Sequence, residues 1–318
     1  MAAIPGEVET DQQPPMTIPL QHFVVGLGLL LIGVVVGVGI VFDIVPGFGT
    51  LVHVHLLLVG WICITIMGAM TQFAPVWSGV ALHSRRFASI QLTFVLVGLG
   101  GFVAGLLLNS LAWLIPFGGL MLAGFWIFVY NIARTMASID SYDVTERHFL
   151  LALGFFLVVT ELGFLLAVDF TRPIFAPYSI GRINVVTAHA TIGVFGVILT
   201  TIYGALYQLG TMFTQTELHG VDEYLQLIEE IGHPVGVVLL AVGRFADTLL
   251  VARIGSVLVL GAAVAFSTIL NPTRCPTPVP PGRRTAGHSR VGCRRDRSGG
   301  CSRGSHCRRA TGRIDIDA

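Results

Sequence analysis

Eight long apolar runs, separated by short polar breaks, set the pattern of this chain. They cover about 20–42, 50–76, 87–108, 111–136, 149–168, 185–212, 224–243 and 248–270. Most reach the roughly 20 residues that a helix needs to cross a bilayer. Within lipid a single run satisfies its own backbone groups only as a helix, so the pattern predicts helices rather than strands. The expected fold is all-α: a polytopic membrane bundle of about eight transmembrane helices in two parallel four-helix repeats. The expected organisation is a polar leader (1–18), a first repeat (19–137), a connector (138–148), a second repeat (149–271) and a tail (272–318). The run at 224–243 has the weakest apolar signal because Glu229 and Glu230 fall inside it.

The repeat is visible in the second helix of each half. HVHLLLVGWICITIMGAMTQ, from His53 to Gln72, returns as HATIGVFGVILTTIYGALYQ, from His189 to Gln208. Without a gap the copies match at His53/His189, Gly60/Gly196, Thr65/Thr201, Gly68/Gly204, Ala69/Ala205 and Gln72/Gln208, an offset of 136 residues. His83 and His219 continue the same register in the loops after these helices. An even number of helices per repeat leaves both copies with the same orientation in the membrane.

Composition agrees with a membrane chain: 53% of residues are hydrophobic and 12% charged. The near-neutral total conceals an asymmetry. Residues 1–271 hold eight arginines against fifteen acids, whereas 272–318 hold eleven arginines against three acids and four of the five cysteines. The tail has no C-x-x-C pair of the kind that zinc modules use. A basic arm for anionic lipid is one reading of it; an out-of-frame translation of GC-rich coding sequence is the preferred one. The acidic, proline-bearing leader does not resemble the basic start of a secretory signal peptide. Arg85, Arg86, Arg134 and Arg147 fall on one side of the membrane and Arg172, Arg182 and Arg244 on the other. This bias predicts a multi-pass plasma-membrane protein with both termini in the cytoplasm.

The candidate chemistry lies in the histidines. An imidazole at membrane depth needs partners and usually faces the interior of a bundle; in its neutral form it is the commonest protein ligand for metals and haem iron. A structural bond to a carbonyl explains one such histidine, but a repeated position asks for more. His53 and His55 project about 200° apart around a helix, so both cannot address one centre directly. The repeat singles out His53, because His55 matches Thr191. Gly60 and Gly196 lie seven residues beyond His53 and His189, on the same face. There they suit either an open surface for a macrocycle or close helix packing. Glu161 is the acid placed deepest in a span, and Gln215–Glu230 reads as an amphipathic surface segment.

At HVHLLLVGW…GAMTQFAP and HATIGVFG…GALYQL the chain resembles subunit I of the haem-copper oxidases and their nitric-oxide-reductase relatives. The resemblance implies helices in arcs of four, with functional histidines on the second helix of each arc. It would make His53, or as the lesser candidate His55, an axial ligand of haem b and His189 a metal ligand. Departures from the family pattern narrow these implications. Ala190, Thr191, Ile192 and Gly193 stand after His189 where the family has a proline, an acid and a cross-linked tyrosine. No His-His pair is present; His233-Pro234 offers a single further candidate metal ligand. Copper, which needs about three to four ligands, is therefore not expected, and neither is dioxygen reduction by this chain alone. The expectation is a haem b held by His53 and His189, in one chain or across a homodimer, and a part in membrane electron transfer. Its expected surroundings are the lipid bilayer and other respiratory-chain subunits, with no nucleic acid. The alternatives are a non-enzymatic sensor or chaperone for haem, copper or nitric oxide, and a cofactor-free structural relative.

Overall fold

The computed structural model describes residues 14–214 and 220–270. The expectations for most of the leader, for His219 and for the tail fall outside the described residues. Within them the chain is helical, without strands, and contains eight helices long and apolar enough to cross a membrane. These are α1 (Thr17–Val41), α2 (Gly49–Ser78), α3 (Arg85–Leu107), α4 (Leu111–Met136), α5 (Val144–Asp169), α6 (Arg182–Gly210), α7 (Val221–Phe245) and α8 (Leu249–Ile269). The segment around Glu229 differs from the surface helix that its amphipathic pattern suggests. It belongs to the 25-residue α7, and Glu229 is fully buried.

Local signals account for the helix ends. α2 stops at Gly79, which takes a left-handed conformation (φ +65°) that costs glycine little. Ser84 caps α3 by accepting from the Phe87 amide. Asp143 opens α5 with a capping box, exchanging hydrogen bonds with Glu146. The buried Asn131 holds the α2–α3 loop to α4: its side-chain carbonyl accepts from the Ser84 amide (2.9 Å) and its amide donates to the Ser84 carbonyl (3.0 Å). Such bonds hold a polar loop at the membrane boundary without leaving backbone groups unpaired.

Each repeat packs its first helix along its second by the same contacts. In the first repeat His22 sits over Gly68, Leu29 over Gly60, and Gly37 against the ring of His53. In the second, His148 sits over Gly204, Phe155 over Gly196, and Gly163 against the ring of His189. The small residues let the helices approach closely, which is the main source of helix association where lipid removes the hydrophobic drive. The first helices match at an offset of 126 residues and the second helices at 136. Half of the difference lies in the connection between them, which runs from Phe42 to Phe48 in the first repeat and from Phe170 to Gly181 in the second, and the rest lies in the longer facing ends of α5 and α6. A third register, 138 residues, relates the hairpins α3–α4 and α7–α8. Gly98 lies against the Met121 backbone, and Gly236 lies against that of Val259.

The repeats meet where α4 packs on α5. Phe125 and Phe128 contact Phe156 at ring separations of 5.7 and 5.5 Å, within a shared buried core that includes Met67, Met70 and Ile132. At the connector side Ser78 donates to Glu146 (2.6 Å) and Trp77 stacks on Phe149. These contacts bring α2 of the first repeat opposite α6 of the second.

Candidate cofactor-binding cavity

Both second helices widen just after their repeated histidine. Leu56–Cys63 in α2 and Ile192–Leu199 in α6 are π-helical, and they coincide at the 136-residue offset. In α6 the Thr200 hydroxyl donates to the carbonyl of Phe195, five residues back (3.3 Å). Gly60 and Gly196 occupy the fifth position of each π segment. π-helical turns are rare and concentrate at functional sites, because they displace side chains from the regular helical face.

The histidines before these segments are oriented through Nδ1. His53 shares Nδ1 with the carbonyl of Gly33 (2.8 Å), and His189 shares it with that of Val159 (2.9 Å). Gly33 and Val159 are themselves matched at the 126-residue offset, so the repeated histidine performs one identical structural task in both repeats. His55 instead shares Nδ1 with the Leu51 carbonyl in its own helix (2.9 Å), and its ring lies 5.1 Å from that of Phe102. When Nδ1–H donates to a carbonyl, Nε2 presents the lone pair, which is the arrangement found around metal-ligating imidazoles.

A cavity of about 210 Å³ lies between the repeats, and His55 and His189 both line it. Its walls come from α2, α3, α4, α5 and α6 and are mostly aliphatic or aromatic, including Leu58, Phe102, Phe125, Phe156 and Phe164. Gly118, Gly163 and Gly193 keep space clear on three sides, and Thr160 and Cys63 add the remaining polar character. The rim is open to the membrane: Val54, Val186 and Ala190 line the cavity and are also exposed. No family model matches this chain, and no curated protein matches it.

The geometry redistributes the residues expected from the sequence. His189 lines the cavity, whereas His53 turns to α1 and does not. The histidine that joins His189 is His55, which the repeat pattern places second. Gly60 and Gly196 offer no open platform: a β-carbon on Gly60 would meet Leu29 and Leu99 at 3.1 and 3.2 Å, and one on Gly196 would meet Phe155 at 2.8 Å. Both serve helix packing. His233 lies away from the cavity, fully buried in α7, with Nε2 near the Thr200 hydroxyl (2.9 Å) and the Phe195 carbonyl (3.1 Å). Among the described residues no three His, Cys, Asp or Glu side chains gather as metal ligands. Glu161 is half-buried in α5.

Sequence reasoning passes over Cys63, Phe102 and Thr160 as cavity residues, and it passes over His22 and His148 as a second repeated pair. Matching the repeat in separate registers for each helix finds that pair.

Proposed function

We propose that this integral membrane protein holds a haem b in the cavity between its repeats, with His55 and His189 as the two axial ligands. The observation that carries this reading is one apolar cavity lined by two histidines from opposed helices, each with Nδ1 on a backbone carbonyl. The donor set fits haem iron, which accepts imidazole nitrogen, and the wall of Phe102, Phe125, Phe156 and Phe164 suits a flat apolar macrocycle. The cavity of about 210 Å³ is smaller than the roughly 300–1,000 Å³ of drug-sized sites and opens at the exposed rim of Val54, Val186 and Ala190, where a bound macrocycle would find room beyond the walls. When bound, the haem supplies one-electron redox chemistry. The protein holds the two imidazoles, excludes water with aromatic and aliphatic walls, and exposes one edge to the membrane for exchange with a partner subunit or a second copy.

This role keeps the relation to haem-copper oxidase subunit I as a proposal about ancestry, with electron transfer in the plasma membrane in place of dioxygen reduction. The termini face the cytoplasm in this reading because Arg85, Arg86, Arg134 and Arg147 gather at the connector side. The cavity volume favours one second reading, a non-enzymatic sensor of a small apolar guest such as nitric oxide.

A visible spectrum of protein purified in detergent after expression with ample haem separates the two. The haem reading predicts a reduced-minus-oxidised haem band at about one haem per chain. A colourless protein would overturn it and leave the small-guest reading.

A further inference from the structure

The α7–α8 hairpin carries a charged notch at its turn, on the side of the membrane opposite the connector. The two helices cross closely there, because Gly243 leaves no room for a β-carbon beside the Ala252 backbone. The next residue along each helix is an arginine, so Arg244 and Arg253 flank the crossing. Both line a cavity of about 290 Å³ together with Asp247 and Ser256, over walls that include Leu240 and Leu249. Arg244, Asp247 and Arg253 are exposed, and among the described residues none of the three has a side-chain hydrogen bond or ion pair.

The hairpin α3–α4, related by the 138-residue register, shows what the turn itself requires. Asn109 matches Asp247, and both take the left-handed conformation (φ +54° and +53°). Gly105 and Leu114 repeat the contact of Gly243 and Ala252. At the two arginine positions stand Leu106 and Ile115. The same turn is thus built without either cation. Arg244 lies in the last turn of α7, where the helix dipole favours a cation. Arg253 has no such support. It is the fifth residue of the 21-residue α8, about 6 Å inside the N-terminal end at a rise of 1.5 Å per residue. A helix of that length covers little more than the hydrocarbon layer, so the Arg253 guanidinium must reach the boundary or find an anion. Val257, Leu260 and Val264 follow it at four, seven and eleven residues, so they share its face, and all three are exposed.

We propose that this notch binds the headgroup of an amine-bearing phospholipid, with the phosphate between Arg244 and Arg253 and the ammonium at Asp247. Charge complementarity carries the assignment: two cations and one anion around one cavity match a phosphodiester joined to an ammonium. Each guanidinium presents several N–H donors in a fixed fork that suits phosphate oxygens. The Asp247 carboxylate opposes a second negative group and welcomes a positive one. Leu249 within the notch, continued by Val257, Leu260 and Val264 along α8, gives an acyl chain an apolar track that a free phosphate would not use. The notch shares no residue with the cavity between the repeats, so it stands independently of the haem.

Native mass spectrometry of the full chain in detergent tests the site, with phosphatidylethanolamine and phosphatidylglycerol added in turn. Wild type is expected to retain one phosphatidylethanolamine more firmly than phosphatidylglycerol. Arg244→Leu combined with Arg253→Ile gives the hairpin the residues that α3–α4 already carries. It is expected to keep wild-type helicity and to lose retention roughly thirtyfold, a factor of about five for each arginine. Asp247→Asn, likewise taken from the first hairpin, is expected to keep the lipid and abolish the preference for the amine headgroup. Equal retention by wild type and the double variant overturns the site, as does a wild type that favours phosphatidylglycerol. Displacement of the lipid by an equal concentration of inorganic phosphate would make the notch a free-anion site and overturn it too. So would a double variant that loses a dimer mass while keeping its lipid, which would assign the arginines to a second copy of the chain.

Discussion

Replacing His189 with alanine is expected to abolish the haem band, lowering haem retention by well over about tenfold, and His55→Ala is expected to do the same. Removal of a second-shell partner alone typically costs about 10–100-fold in metal affinity, and loss of the ligand itself costs more. His53→Ala provides the contrast. Its ring makes the same kind of Nδ1 contact as that of His189, yet it turns to α1 instead of the cavity. The expected result for His53→Ala is a retained band with reduced thermal stability, because the ring's contacts with the Gly33 carbonyl and Gly37 across the α1–α2 seam are lost. Titrating purified variants with haem and following the visible spectrum separates ligand loss from failure to fold. A variant that folds and takes up no haem has lost a ligand.

The second large effect concerns Glu229. It meets His148 Nε2 (3.1 Å) and accepts from the Tyr207 hydroxyl (2.9 Å), so its replacement by alanine leaves both groups facing an apolar gap deep in the second repeat. Breaking a buried pair by deleting one partner typically costs about 3–5 kcal/mol. Glu229→Ala is therefore expected to lower the unfolding free energy in mixed detergent by that order. Replacement of both partners together, with Glu229→Leu and His148→Leu, should recover part of the loss, since His148 Nε2 is then no longer left facing the gap while the Tyr207 hydroxyl still lacks its Glu229 acceptor. A loss in the single variant below about 1 kcal/mol, the range of an exposed pair, would contradict the buried pairing described for His148 and Glu229.

The fold is legible in the sequence because hydropathy reports directly on the lipid environment. All eight spans correspond to runs of apolar residues, and the gapless match of α2 with α6 reveals the repeat. The first helices hide their relation because the connections after them, and the helix ends beside those connections, differ in length, which moves His22 and His148 ten residues out of the common register. Glu229 escapes a sequence reading for a physical reason. An acid near the start of an amphipathic helix normally points to water, and only its tertiary partners, His148 and Tyr207, make a buried position tolerable. The choice between His53 and His55 depends on which side of α2 the second repeat occupies, and one helix's own sequence does not contain that information. The paired π segments are equally hidden, since no residue pattern in LLLVGWIC or IGVFGVIL distinguishes them from α-helix.

These features describe a repeated scaffold whose two copies share their packing contacts and differ in their polar residues. Both retain the packing of a histidine and small residues between first and second helices. The face of α6 that looks toward the first repeat has gained a cavity partner in His55, while Thr191 stands at the matching position of α6 itself. The asymmetry concentrates the candidate chemistry at the junction between repeats and, independently, inside the second repeat.

Electron paramagnetic resonance of the oxidised, purified protein tests the central claim most directly, because it reports how many imidazoles hold the iron. Two axial histidines predict a low-spin ferric spectrum that converts to high spin, or disappears with the haem, in His55→Ala and in His189→Ala but persists in His53→Ala. A wild-type protein without a haem signal, or a low-spin signal that survives loss of both His55 and His189, would contradict it.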